Sequence, residues 1–267
     1  MFLFLRFALL CAAVSVVGFV PSICAQQPDV QSIISKSVAA NQTDFKAAPG
    51  FNYKERDREG KGSKTYQITM IDGSPYQRLI AVDGKPLSKD QQVEEEKKQQ
   101  QETARRRSES QSDRQQRVAK YEKDRKRDNE MMQQLTKAFN FTYTGKQRLR
   151  GFAVYVLKAK PRPGYQPPNM ETQVLPGMQG QLWIDQKSFQ WVKVTAQVVQ
   201  PVSIEGFLAK VEPGTQFELE MSPVAGNIWQ VSHFSMKSKA KILDIFKHGS
   251  QEDSTYFDYR RAVHTSK

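Results

Sequence analysis

Gly180-Gln181-Leu182-Trp183-Ile184-Asp185-Gln186-Lys187-Ser188-Phe189-Gln190-Trp191-Val192-Lys193-Val194 is the stretch on which the fold turns. Gly180 to Asp185 is one β run, Phe189 to Val199 is the next, and the polar tetrad Asp185 to Ser188 joins them. The short connection makes the pair antiparallel. Trp191 and Val194 alternate with Lys193 and Thr195, and farther on Phe217, Leu219 and Met221 alternate with Glu218 and Glu220. A period of two with large apolar groups on one side predicts a sheet with one wet face and one buried face.

The same pattern continues on both sides. Phe139 to Leu149 and Phe152 to Lys160 read as a hairpin, followed by a proline-rich loop from Pro161 to Gly177. After the central pair come runs at Val202 to Val211, Gln216 to Met221, Ile228 to Met236, Ala240 to Lys247 and Ser254 to Arg261. Upstream, Phe51 to Arg58, Lys64 to Ile71 and Tyr76 to Val82 form a smaller meander. Its turns are Gly60 to Ser63 and the two Asp-Gly-x-Pro sequences at Asp72 and Asp83, where glycine supplies the positive φ of a tight turn. Ten or more antiparallel strands with one apolar face must curl, close or be covered. Two segments can cover them. One is a helix from Asp29 to Phe45, with Asp29 as N-cap and Val30, Ile33, Ile34, Ser37/Val38 and Phe45 at helical spacing. The other is the helical end that carries Met131, Met132, Leu135, Ala138 and Phe139.

Between these parts lies a segment of different composition. Lys89 to Glu130 holds 13 basic and 11 acidic residues, and almost nothing apolar besides Val93, Val118 and Tyr121. Pairs such as Glu94–Lys98, Glu102–Arg106 and Glu122–Lys126 support helix, and no heptad seam is present. The reading is a charged insertion, residues 89–138, either a solvated helix or partly disordered, apart from the core, within one β-rich domain at 26–267.

The first 25 residues read as a secretory signal peptide: an apolar run from Phe2 to Val20, broken only by Arg6, then Pro21 to Ala25 with cleavage expected after Ala25. Both cysteines, Cys11 and Cys24, lie inside it, so the exported chain has no disulfide or thiol chemistry. The whole chain carries 40 Lys and Arg against 28 Asp and Glu, a net +12 that becomes +11 without Arg6. For an exported protein this favours an anionic membrane surface over nucleic acid as partner.

No catalytic signature follows. The three histidines, His233, His248 and His264, lack metal-ligand spacing, and no nucleophile elbow, phosphate loop, dinucleotide fingerprint or zinc-protease helix occurs. The reading is therefore a non-enzyme without cofactor or metal. Aromatic residues including Trp183, Phe189, Trp191, Phe207, Phe217, Trp229, Phe234 and Phe246 read as sheet core, and line a cavity only where they face unfilled space.

A helix, three strands, a helical excursion and a long antiparallel meander resemble the layout of the periplasmic lipoprotein-carrier superfamily (LolA/LolB-like, outer-membrane lipoprotein-sorting). The wording of Gly180 to Val194 and of Asp72-Gly73-Ser74-Pro75-Tyr76-Gln77-Arg78-Leu79 is similar to that group as well. The resemblance implies an incomplete β-barrel capped by helices, with an apolar cavity for the acyl chain of a lipid or lipidated protein. Met131, Met132, Leu135, Phe139, Ile33, Ile34, Trp183 and Trp191 are the residues expected to line it. The charged insertion is far longer than the usual lid helices of the group, and no arginine here matches the one at their lid contact. The alternative is an envelope protein-interaction, scaffold or sensor module without a lipid ligand, its charged helix meeting a partner as in the related sigma-regulator sensor domains. An open apolar cavity favours the first reading and a filled core the second.

Overall fold

The computed structural model describes residues 28–204, 209–238, 240–242, 246–248 and 251–262. The expected signal segment, with Cys11 and Cys24, lies outside them, as do Phe207 and His264.

Helix α1 spans Val30–Ala47 and is capped as the sequence predicts: the Asp29 carboxylate accepts the Gln31 N–H at 3.0 Å. Strands β1 (Phe51–Glu59), β2 (Gly62–Ile71), β3 (Ser74–Val82) and the two-residue β4 (Lys85–Pro86) follow. Both Asp-Gly turns place two successive residues at positive φ, 46° and 92° at Asp72 and Gly73, 50° and 73° at Asp83 and Gly84. That is the geometry that matches hairpin twist.

The charged insertion is two helices rather than one. Helix α2 (Lys89–Ser108) opens with a capping box between Ser88 and Gln91. It stops at Glu109, and α3 (Gln111–Ala138) restarts with the Ser110 hydroxyl accepting the Asp113 N–H. Nor is the insertion detached. The Arg106 side chain is only 7% exposed. Its guanidinium donates to the carbonyls of Ile71 and Ser74 at 2.9 Å and of Pro75 at 3.2 Å, all in the β2–β3 turn. Arg117 donates to the Ser74 hydroxyl at 2.6 Å and the Asp72 carbonyl at 3.1 Å, and pairs with Glu109. A run without apolar residues has docked by satisfying turn carbonyls.

Helix α3 ends at Ala138, so Phe139 does not share one helical face with Met131 and Leu135, although their four-residue spacing predicts it. It begins strand β5, with its N–H donating to the Leu135 carbonyl. Strands β5 (Phe139–Leu149), β6 (Phe152–Pro161), β7 (Met178–Asp185) and β8 (Trp191–Val198) follow. Phe189 is a turn residue at φ 59° instead of a strand residue. The runs expected as single strands at 202–211 and 240–247 are each broken, into β9 (Val202–Ile204) with β10 (Ala209–Val211) and β13 (Ala240–Ile242) with β14 (Phe246–His248). Between and after them run β11 (Gln216–Ala225), β12 (Ile228–Lys237) and β15 (Gln251–Arg261).

Eleven strands form one antiparallel sheet in the order β4-β3-β2-β1-β15-β12-β11-β8-β7-β6-β5, open at both edges. The remaining four form a small second sheet, β14-β13-β10-β9, made from the two excursions that interrupt the meander. The large sheet bends. Arg150, in the β5–β6 turn, donates to the Ser222 hydroxyl at 3.1 Å and lies 3.1 Å from the Glu220 carboxylate on β11. In a flat sheet β6 and β11 are three spacings apart, roughly 14 Å, beyond an arginine's reach. The class is mainly β, a large curled and unclosed sheet with an N-terminal helix and a helical insertion.

Close strand approach depends on Gly180. A Cβ there stands 2.5 Å from the Thr195 carbonyl oxygen on β8. Gly180→Ala is therefore expected to destabilise the protein by about 1–3 kcal/mol through forced backbone shift, measured by denaturant unfolding; unchanged stability overturns that account.

Candidate binding site

Register separates the two faces of the sheet, because directly paired residues point the same way. Leu157, Leu182, Val194, Leu219 and Phe234 form one continuous row across β6, β7, β8, β11 and β12. Ile184 and Trp191 pair on the same face, where a bulge at Val192 shifts the register. This is the apolar face, and α1 lies against it.

Seven of the eight residues expected as ligand-binding meet in one apolar cluster. Ile33, Ile34, Phe139 and Trp191 are buried within it; Met132, Leu135 and Trp183 are half-buried and pack against it. The Met131 side chain lies outside the described residues. Trp183 stands apart in one respect: it pairs with Val156 and Lys193, so it points to the face opposite Trp191.

The cover differs from the apolar stripe read in the sequence. Helix α1 buries Ile33 and Ile34 in its first half, then Ser37, Asn41 and Asp44 in its second. The Asn41 amide donates to the Ser37 carbonyl at 2.8 Å. One Asp44 carboxylate oxygen accepts the Trp229 N–H at 2.9 Å. Ser37 Oγ, Asn41 Oδ1, Gln190 Oε1 and Trp191 Nε1 are buried with no hydrogen-bond partner among the described protein atoms. Burial pushes the Asp44 carboxyl up to about 6, against the hydrogen bonds from the Trp229 backbone N–H and the Gln190 side chain that lower it. Helix α3 meets α1 through amides as well, Asn129 and Gln133 both donating to the Gln42 side chain. At the far end Arg125 lies over the Phe45 ring at 4.3 Å, and its guanidinium donates to the Phe45 carbonyl.

Between α1, α3 and Trp191 remains a gap of about 10 Å³, lined by Val38, Asn41, Gln42, Asn129, Met132, Gln133 and Trp191. That is room for about one water molecule, not for an acyl chain. Among the described residues, α1 and α3 fill this part of the apolar side. The signal for this polar seam lay in the sequence: Ser37, Asn41 and Asp44 continue the Ile33–Ile34 face at spacings of four and three. A search for apolar periodicity reaches Ser37 beside Val38 and passes over Asn41 and Asp44.

Among the described residues no group of His, Cys, Asp and Glu could hold a metal ion, and no helix is long and apolar enough to cross a membrane. His233 stands 3.6 Å from Asp253 in a partly exposed pair.

No family model matches the chain, and no curated protein matches it. Similar solved structures include a DUF1329 family protein from Desulfovibrio piger, at 12% identity, 89% coverage of this chain, 95% of that one and a TM-score of 0.35. An outer membrane lipoprotein-sorting protein domain from Vibrio parahaemolyticus is similar at 11% identity, with 88% and 95% coverage and a TM-score of 0.32. A LolA superfamily protein from Nitrosomonas europaea gives 11% identity, 88% and 94% coverage and a TM-score of 0.32. The second and third of these carry the names of the group that residues 180–194 resemble, and at such scores none of the three carries an argument about function.

Proposed function

We propose that this chain is an exported, non-catalytic binding protein of the cell envelope that takes up an acyl chain, of a lipid or a lipidated protein, on the apolar face of its curled sheet. The observation that carries the reading is the seam under α1. A permanent cover is normally apolar or fully hydrogen-bonded. Here the polar Ser37, Asn41 and Asp44 make up the second half of the buried face of α1, and a buried polar group left without a partner costs about 1–3 kcal/mol. A helix held this way separates from the sheet more easily than one packed by leucines. An acyl chain can then replace it against Trp191 and its neighbours. The exported chain's expected excess of positive charge would bring it to anionic lipid surfaces.

The gap beneath α1 is too small to receive a chain, so uptake requires α1 and the Met132–Leu135 end of α3 to lift. Met132→Glu with Leu135→Glu is expected to weaken uptake of a fluorescent fatty-acid probe roughly tenfold, the cost of placing charge on an apolar contact, while β-sheet circular dichroism is unchanged. Lipid extracted from the protein purified from its own envelope should register in mass spectrometry. If the wild type takes up no probe and carries no lipid, the acyl-chain reading fails. The filled core then favours the second reading, an interaction module that meets an envelope protein through the charged outer surface of α2 and α3.

A further inference from the structure

The face of the sheet opposite α1 has its own organisation. Register aligns Lys158, Gln181, Thr195, Glu218, Ser235 and Asp253 in one row across β6, β7, β8, β11, β12 and β15. Two residues along, Gln179, Gln197, Gln216, Lys237 and Gln251 form a parallel row. The two rows line an open trough of about 640 Å³. Six strands at 4.7–4.9 Å spacing make it roughly 24 Å long.

Its chemistry is selective. Gln179, Gln197, Gln216 and Gln251 are exposed, and their amides take no part in hydrogen bonding among the described residues. Each amide offers two donors and an acceptor. Few charges face it: Lys158, Lys160 and Lys237 against Glu218 and Asp253, because Glu252 pairs with Met236 and points to the other face. Glu218 is already held by Lys193 at 2.6 Å, and Asp253 by proximity to His233 at 3.6 Å. A trough with a net of about one positive charge gives little steering to a polyanion or polycation. An extended peptide gains affinity by pairing with a free sheet edge, and these are interior strands whose backbone groups are already paired. What the trough offers is a repeat of neutral donor–acceptor pairs at strand spacing.

We propose that this trough is a second binding site, for a neutral glycan chain whose hydroxyl or acetamido groups pair with the glutamine rows. The site is independent of the acyl-chain reading, since it lies on the other face of the sheet. The test is calorimetric titration of the full exported chain with two probes, a β-1,4-linked N-acetylglucosamine hexamer and maltohexaose. Saturable binding to at least one, unchanged between low and high salt, is expected. The double variant Gln197→Ala, Gln216→Ala should weaken it roughly tenfold, the loss of one to two hydrogen bonds. Gln179→Ala with Gln251→Ala, at the two ends of the row, should also weaken it. All four are exposed side chains, so circular dichroism and the melting temperature should be unaffected. Absence of binding to both probes overturns the proposal. So does binding that both double variants leave unchanged, or binding abolished by salt.

Discussion

Arg106→Ala is expected to lower stability by about 3 kcal/mol, a fall of roughly 6–12 °C in melting temperature for a chain of this size. The guanidinium fastens α2 to the β2–β3 turn with three carbonyl bonds, and it also donates to the Ser74 hydroxyl at 3.2 Å and the Glu102 carboxylate at 2.6 Å. Truncation leaves turn carbonyls in a buried place without that donor, and an acid without its partner. The clamp holds across neutral and mildly acidic pH, because the Arg105 hydrogen bond, with Arg106 beside it, keeps the Glu102 carboxyl down to about 2. Arg106→Lys should recover little: a single ammonium group lacks the planar fork that reaches several carbonyls at once. Limited proteolysis provides the second readout, with new cuts expected between residues 89 and 130 in the variant. If Arg106→Ala keeps both its melting temperature and its protease resistance, the Arg117 contacts alone hold the arm and the clamp account fails.

The clamp also marks the limit of what sequence can convey. Thirteen basic residues within Lys89 to Glu130 look alike by composition, and a buried arginine is set apart only by the turn it meets some thirty residues upstream. Local signals fared well. The Asp29 cap, the Asp-Gly turns and the Phe217–Met221 alternation each act within a few residues, and each element stands where its wording put it. Long-range pairing was not legible. Val202 to Val211 reads as one strand because its apolar content is continuous. The chain instead folds β9 back antiparallel on β10, and β10 also pairs with β13, about thirty residues away, so that a second small sheet results. The binding face shows the same division. Ile33, Ile34 and Trp191 were legible as apolar positions, while the polar half of the α1 seam needed the partner residues Gln190 and Trp229 to be in view.

That polar half sets the pH dependence of the fold. Asp44 is 3% exposed, and burial lifts its carboxyl from 3.8 to about 6. The folded chain therefore holds this proton more tightly than the unfolded chain does. Between those two values the native state binds more protons, so stability is greatest below the unfolded value and declines as pH rises through the folded one. The decline from this residue is about 3 kcal/mol. Glu55 acts in the same direction, raised to about 7 by burial first and by the neighbouring Asp57 second. Asp44→Asn keeps an oxygen to accept the Trp229 N–H and removes the ionisation. The variant is expected to match the wild type near pH 4 and to exceed it by about 2 kcal/mol near pH 8, measured by denaturant unfolding at each pH. A slope from Glu55 should remain, so the pH profile of the variant is shallower but not flat. Equal or lower stability of the variant near pH 8 means that the second carboxylate oxygen is compensated in solution. The seam under α1 is then stronger than its unpartnered atoms imply, and the case for α1 as a cover that lifts weakens with it.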